Sequence, residues 1–580
     1  MGIERLWILN EPADQEKVGR LATELGIDRV LAELLVKRGV ETFEEARSFF
    51  RPSLANLHDP FLMKDMDKAV ERLHQAIVSK EKILVYGDYD VDGTTAVALV
   101  YSFIKRFTKA VDFYIPDRYE EGYGLSYKGI DWAKDNGFSL LITLDCGIKA
   151  VEKVEYASAK GVDVIICDHH LPDEDALPPA VAVLDPKRSD CDYPFDDLCG
   201  CGVGFKLVSA YAQKFDIGFD TLEPLMDLLA VSITADLVSV TGENRILAHY
   251  GLKRLNENPR RGLLAMINVA KLEPGHITID EIVFKIGPRI NAAGRMESGR
   301  LAVELLTADD DNKAFEIAAK INDNNNERKN IDREITREAL ETVQNGKALA
   351  SGNVTIVYNP RWNKGVVGIV ASRLVEAYYK PAIVLTKSNG FVTGSARSIQ
   401  GFDLYEAIEG CSDLLETFGG HLYAAGLTLK EENLEAFCER VDGFIASRIT
   451  PEITTPVIQA DAMLDFSQIT PKFSRILKLF QPFGPGNTNP VFVTEEVYDA
   501  GNGRKVGAGG FHMKLDLMQE SYPYHQIAAM AFNMSEFYDY IREGNPIDVC
   551  YTIVENFYRG SSTIQLRIKD IRKGKDFIIE

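Results

Sequence analysis

This sequence predicts a multidomain α/β protein: a parallel-sheet unit, a second α/β unit reached through a long helix, and a C-terminal β-barrel. Three observations carry that prediction. Between residues 61 and 245, short β-rich runs alternate with helix-like stretches, the pattern of a parallel sheet with helices on both faces. Three of those runs end in aspartates or histidines. From about residue 455 onward the chain turns to regularly spaced strands, several with strict alternation, as in Thr563-Ile-Gln-Leu-Arg-Ile-Lys569.

Length and composition bound the reading. At 580 residues one hydrophobic core is not enough, and about 150 residues per domain implies three or four units. The apolar share of 46% and charged share of 26% are those of a water-soluble globular protein. A formal net charge of -21 excludes a chain that holds nucleic acid by bulk charge, though not one with a local basic groove. Eight cysteines without regular spacing, several inside apolar runs, read as reduced thiols. No stretch approaches 18 apolar residues and Met1 to Leu6 has no signal core, so a cytoplasmic protein without membrane attachment is expected.

Residues 1–60 read as a helical cap on the next unit, with helical spacing over Gln15 to Leu25 and Asp28 to Arg38. In the unit over 61–245, strands are expected at Ile83 to Tyr86, Val111 to Ile115, Leu140 to Leu144, Val162 to Ile166 and Val181 to Leu184. Residues 246–350 are predominantly helical. Gly287-Pro-Arg-Ile-Asn-Ala-Ala-Gly-Arg295 interrupts them, and a charged connector helix runs from Asp309 to Val343. A second α/β unit spans 351–450, with strands at Val354 to Val357 and Ala382 to Leu385 around a helix from Val366 to Tyr379. The last unit, 451–580, fits a Greek-key barrel of the OB type, with strands at His512 to Leu517, Ile527 to Phe532, Ile547 to Val554 and Thr563 to Ile571.

The chemistry gathers at strand ends, which is where ligands bind in open parallel sheets. Val164-Ile-Ile166 runs into Asp168-His169-His170, and Leu140 to Leu144 runs into Asp145. Ile83-Leu-Val85 runs into Asp88, Asp90 and Asp92, which share one side if the chain stays extended. Any one of these aspartates could be a helix cap. Three strands delivering carboxylates to one edge, together with the adjacent histidine pair, point instead to a two-metal centre for hydrolysis at phosphorus. Cys199-Gly200-Cys201 is too tight for a zinc pair and reads as loop packing, while Gly200 to Gly204 misses the nucleotide-loop spacing by one residue and reads as helix packing.

The motifs Tyr86-Gly-Asp-Tyr-Asp-Val-Asp-Gly93, Asp145-Cys-Gly147, Asp168-His-His170, Ala235-Asp236, Gly287 to Arg295 and Phe418-Gly-Gly-His-Leu-Tyr-Ala-Ala-Gly426 jointly resemble the DHH phosphoesterase family. Within it they resemble the branch of single-stranded-DNA exonucleases, over nearly the whole chain from about residue 60. The resemblance implies one ion on Asp88 and Asp145 and another on Asp90, Asp145, His169 and Asp236. It makes Asp145 a shared catalytic ligand and places His170 beside the scissile phosphate, with Asp168 supporting the histidines. It implies that Arg289, Arg295, Arg373, Ser395, Arg397 and His421 contact the strand. Two Mn²⁺ or Mg²⁺ ions are the implied cofactors, and 5′-to-3′ hydrolysis to mononucleotides is the implied reaction, by in-line attack of bound hydroxide. Work as a monomer in recombination and repair, fed by a helicase and a single-strand-binding protein, is implied as well.

Two departures stand out: Tyr86 and Asn363 occupy positions that are histidine in many relatives. The competing readings are a phosphoesterase of short oligoribonucleotides or cyclic dinucleotides, and a non-catalytic single-strand-binding relative. The first does not need the C-terminal barrel, and the acidic set speaks against the second.

Overall fold

The computed structural model describes residues 4–173, 176–558 and 561–574, with backbone alone at 557, 558, 561 and 562. The first α/β unit, the expected catalytic one, is built on five parallel strands: β1 (Lys82–Gly87), β2 (Val111–Tyr114), β3 (Phe138–Leu144), β4 (Asp163–Cys167) and β5 (Ala182–Leu184). Their spatial order is β2-β1-β3-β4-β5, so the chain reverses its direction of travel across the sheet between β1 and β3. Apolar side chains line both faces because helices cover both. On one face, α1 (Val91–Ile104), α2 (Gly200–Lys214) and α3 (Met226–Ala235) pack together and are buried almost throughout.

Beyond this unit the chain is helical to residue 344. Gly287 to Arg295, expected to interrupt the helices, is itself helix α4 (Gly287–Met296); Pro288 sits in its first turn, where its missing N–H costs nothing. A π-helical segment, Ile282–Ile286, leads into it. The connector α5 (Asp311–Gln344) is 34 residues long, about 50 Å. It buries a stripe that includes Ala314, Ile321, Asn325 and Ile335.

The second α/β unit holds β6 (Thr355–Tyr358), α6 (Val367–Tyr378), β7 (Ala382–Ser388), β8 (Phe391–Arg397), β9 (Leu415–His421) and β10 (Ala424–Leu429), in the sheet order β9-β10-β8-β7-β6. The C-terminal strands β11 (Phe492–Asp499), β12 (His512–Gln519), β13 (Tyr522–Ala531), β14 (Ile547–Tyr558) and β15 (Ser561–Lys573) close into a barrel ordered β11-β12-β13-β15-β14 and back to β11. Only the β13–β15 pairing is parallel, which is the OB topology.

The N-terminal helices, Gln15–Leu25 and Arg29–Val36, do not cap the catalytic unit. Val18, Leu21, Leu31 and Leu35 share a core with Phe466, Phe473 and Phe492 of the C-terminal unit, and Leu6–Leu9 pairs with Val457–Ala460. Helical periodicity identifies the buried faces of such helices, but says nothing of what covers them.

Candidate metal centre and nucleic-acid interface

The acidic cluster lies beyond the carboxyl ends of β1, β3 and β4, on either side of the point where the sheet order reverses. After β1 the chain does not stay extended. Asp90 caps α1, accepting from the Gly93 N–H at 2.9 Å, and the helix begins at once. Asp88 is fully buried, and its Oδ1 accepts from the Gly124 N–H at 3.3 Å. Because the helix starts here, the three aspartates do not line one side of a strand, and Asp92 reaches α2 and α3 instead. Asp92 accepts from the N–H groups of Gly200 at 2.6 Å and Cys201 at 2.7 Å, and from the Ser232 hydroxyl. It thereby ties the N-terminus of α2 to α3. Cys199-Gly200-Cys201 is therefore a cap and first helical turn, not loop packing.

Asp145 follows β3 in left-handed backbone, φ 59°, an uncommon conformation for a residue with a side chain. A Cβ on Gly200 would stand 2.6 Å from the Cβ of Asp145, so glycine is what lets α2 approach. The Tyr123 hydroxyl donates to the Asp145 carbonyl at 2.9 Å and lies 3.3 Å from Nε2 of His170. After β4, buried Asp168 accepts from the N–H groups of Ile148 at 2.9 Å, His169 at 2.7 Å and His170 at 3.2 Å, and meets Nδ1 of His170 at 2.7 Å. Nε2 of His169 faces three carboxylates: Asp145 at 3.1 Å, Asp236 at 3.7 Å and Asp92 at 3.8 Å. Asp236 is the C-cap of α3.

Two donor groups close up tightly enough to hold an ion, Asp145 with His169 and His170, and Asp92 with His169 and Asp236. Asp145, His169 and Asp236 thus come together, while Asp88 and Asp90 lie outside both groups, although the Asp90 carboxyl meets that of Asp145. The electrostatics favour a cation. Burial, and then the charge of neighbouring aspartates, pushes the carboxyls of Asp88, Asp90 and Asp145 upward, and that of Asp236 to about 8. Asp88 Oδ2 and His169 Nδ1 are buried without a hydrogen-bond partner. Buried carboxylates crowded together with an unpaired oxygen and an imidazole are the donor set of a divalent ion.

His170 and Asp168 differ from this set. Burial works against protonated His170, but the Asp168 carboxylate outweighs it and the imidazole is raised. Asp168 is lowered, because its bonds, first to His170, outweigh its burial.

Tyr86 is no ligand. Its ring is buried and stacked on Tyr114, and its hydroxyl donates to the Gly124 carbonyl at 2.9 Å, holding the loop that meets Asp88.

Across from the carboxylates is a basic pocket. Arg397 and Ser395, on β8, lie against Gly368 in the first turn of α6, while Arg295 reaches the Gly365 carbonyl at 3.3 Å. Burial and the charges of Arg118, Arg328 and Arg397 pull Arg295 down to about 10. No carboxylate pairs with Arg295 or Arg397 among the described residues, so the pocket fits an anion. Arg289 lies on the other side of α4, with Nε donating to Asn322 at 3.1 Å. Arg373 is exposed and paired with Glu376; His421 is exposed at the end of β9. The Asn363 side chain accepts from the Gly365 N–H at 2.7 Å and so shapes the entry to α6.

Sequence reasoning passed over several residues here. Asp92 stood inside the first motif, but its task depends on helices more than 100 residues away. Asp185 ends β5, where the strand-end rule would have found it; its Oδ2 is buried and unpartnered and its carboxyl is raised by burial to about 7. Nothing in the sequence signals Tyr123. On the barrel, Phe511 is 61% and Tyr524 100% exposed, whereas the side chains of Phe557 and Tyr558 lie outside the described residues.

A parallel sheet that gathers aspartates and paired histidines at its switch point, facing an anion pocket on a second α/β unit, defines a DHH-type phosphoesterase. Three families match in sequence: the DHH family, N-terminal domain, over residues 82–233; the DHHA1 domain over 351–447; and the RecJ OB domain over 460–570. The single-stranded-DNA-specific exonuclease RecJ of Bacillus subtilis is 39% identical over 567 residues, 97% of this chain and 70% of its own length. The Haemophilus influenzae RecJ is 33% identical, with 89% of this chain and 92% of its own length covered. Among solved structures, Thermus thermophilus RecJ in complex with Mn²⁺ is similar with a TM-score of 0.83 and 25% identity, over 98% of this chain and 80% of that one. The chain belongs to the RecJ family of single-stranded-DNA-specific exonucleases, and the protein is an enzyme.

Proposed function

We propose that the protein hydrolyses single-stranded DNA from its 5′ end and releases 5′-mononucleotides, using two divalent ions, Mn²⁺ or Mg²⁺. The observation that carries this is the buried carboxylate cluster near a buried arginine pocket with no carboxylate paired to it among the described residues, the charges of Asp88, Asp90 and Arg295 all acting on Tyr89 between them. Asp88 and Asp145 would hold one ion and Asp90, Asp145, His169 and Asp236 the other. When bound, the ions supply Lewis-acid charge to the scissile phosphate and lower the pKa of water. The rest is the work of the chain. Asp92 fixes the helices that frame the cluster, and Gly200 keeps Asp145 in place. His170, whose imidazole Asp168 raises and which lies next to the Tyr123 hydroxyl, is placed to hold or move a proton at the phosphate.

Arg295, Arg397, Ser395 and the first turn of α6 receive the terminal 5′-phosphate, which fixes the polarity; Arg289, Arg373 and His421 contact the strand beyond. Exposed aromatics on the barrel suit stacking by unpaired bases. We place the enzyme in the cytoplasm as a monomer in recombination and repair, on strands opened by a helicase and covered by single-strand-binding protein. The supporting test is a time course on 5′- and 3′-labelled single strands, duplex and RNA with Mn²⁺ or Mg²⁺. Immediate mononucleotide release from the 5′ label on single strands is expected. Immediate release from the 3′ label, or preference for short RNA, would overturn the polarity or the substrate.

A further inference from the structure

Arg245 is a charged residue in an unusual place. It lies on the helix Gly242–Glu257 of the catalytic unit and is buried, with no carboxylate paired to it among the described residues. Its guanidinium sits 4.0 Å over the Phe49 ring and donates to main-chain carbonyls of three neighbouring residues in the C-terminal unit, Leu479 at 3.2 Å, Phe480 at 2.9 Å and Pro482 at 3.3 Å. It donates also to the Phe49 carbonyl at 3.1 Å. Arg245 thus draws together three parts of the molecule: the N-terminal helices, the catalytic unit and the chain that leads into the barrel.

The same carbonyls anchor a second arginine through an amide. Asn487 donates to the carbonyls of Phe480 and Pro482, each at 2.8 Å, and accepts from Arg38 of the N-terminal helices at 2.9 Å. Between these residues, the loop over 480–487 presses on the catalytic chain just past Asp236. The Val240 N–H donates to the Pro485 carbonyl at 2.7 Å. A Cβ on Gly484 would stand 2.3 Å from Cγ2 of Val240, and one on Gly486 would stand 2.9 Å from Cγ2 of Thr241.

An apolar side chain would fill the Arg245 site at less desolvation cost. What arginine adds is direction: the two terminal nitrogens of a planar fork reach their four carbonyls only when both neighbouring segments stand at one angle to the catalytic unit, while Nε finds no partner among the described residues. Plain stickiness between domains does not need this.

We propose that Arg245 is a positioning residue, which with the loop over 480–487 locks the OB barrel at one orientation to the metal centre. The barrel is then a fixed track rather than a tethered module. This rests on the single-strand exonuclease reading. A strand long enough to touch both barrel and site gains from their fixed spacing, because the second contact forms at high effective concentration; a strand that reaches only the site gains nothing.

Arg245→Met keeps the packing on Phe49 and removes the donors. Gly484→Ala, which forces Val240 aside, is the second variant in case the first does not fold. For each, hydrogen exchange over 237–241 and 480–487 is compared with the parent. Affinity in chelator and Mn²⁺-supported kinetics are measured on a long single strand and on one of about five nucleotides, too short to fill both the metal centre and the roughly 4–16 nucleotides an OB fold occupies. We expect faster exchange in both segments, a long-strand Kd and KM raised by about tenfold or more, and short-strand values and kcat within about twofold of the parent. Equal losses on long and short strands would overturn the proposal, as would unchanged long-strand affinity despite faster exchange, or unchanged exchange. Failure of the parent itself to digest single strands would strike the exonuclease reading instead, and the affinities in chelator would still decide the joint.

Discussion

Replacing Asp168 with asparagine separates the scaffold of the centre from its ligands. The amide oxygen can keep the three contacts now made by Oδ1, to the N–H groups of His169 and His170 and to Nδ1 of His170. The amide nitrogen must then face the Ile148 N–H, which Oδ2 accepts at 2.9 Å, so one bond is lost and donors are buried against each other. That costs about 1–3 kcal/mol, and turning the remaining bonds from charge-assisted to neutral costs about 1 kcal/mol each, for a total of about 4–6 kcal/mol. The pH dependence is the sharper signature. Folded His170 is raised, so its share of the pair's stability is complete below its unfolded value of about 6.5 and is lost as pH rises through the folded one. Folded Asp168 is lowered, so its share is present above about 3.9 and is lost as pH falls through the folded value. The parent and Asp168→Asn should therefore differ most in thermal stability between about pH 4 and 6.5, and the gap should narrow at higher pH. In the variant, burial still lowers His170 while the Asp236 and Asp92 carboxylates are left to raise it, so the limb of the pH–rate profile that reports it moves to lower pH. A stability gap that stays flat from pH 5 to 9, with that limb unmoved, would refute the assignment of Asp168 as the partner that raises His170.

The same geometry yields three further outcomes. Asp236 has a folded carboxyl raised to about 8, so in chelator the parent loses stability as pH rises from about 4 through 8; Asp236→Asn flattens that loss, and Mn²⁺ flattens it in the parent, as thermal melts at pH 5.5 and 8.5 will show. Asp145→Ala should bind single strands about as the parent does but hydrolyse them at least about a thousandfold more slowly, measured by mononucleotide release. Arg397→Met should weaken binding of a 5′-phosphorylated strand by about tenfold or more while leaving a 5′-hydroxyl strand nearly unchanged, measured by competition in chelator.

The parallel sheet and its ligand-bearing edge were legible because two simple rules apply there: buried parallel strands are continuous apolar runs, and the residues just past their carboxyl ends lie at the open edge of the sheet. Asp145, Asp168 and His169 were found this way, and Asp185, the residue just past β5, answers to the same rule. Asp236 came from resemblance alone, since a helix C-cap has no periodic signature. The Asp88 to Asp92 stretch misled because alternation holds only while a strand continues, and Asp90 starts a helix within two residues of Asp88. The N-terminal helices misled for another reason: their partner, the barrel, is more than 400 residues away, and local pattern does not encode so distant a neighbour. The OB order of the barrel, with its single parallel pairing, likewise rests on contacts that no window of sequence contains.

Asp92 gives the centre a division of labour with a practical outcome. The carboxylate that knits α2 to α3 accepts from two main-chain N–H groups and a hydroxyl, so part of the frame's cohesion comes from the chain's own hydrogen bonds. An ion entering the cluster would meet helices already joined to each other.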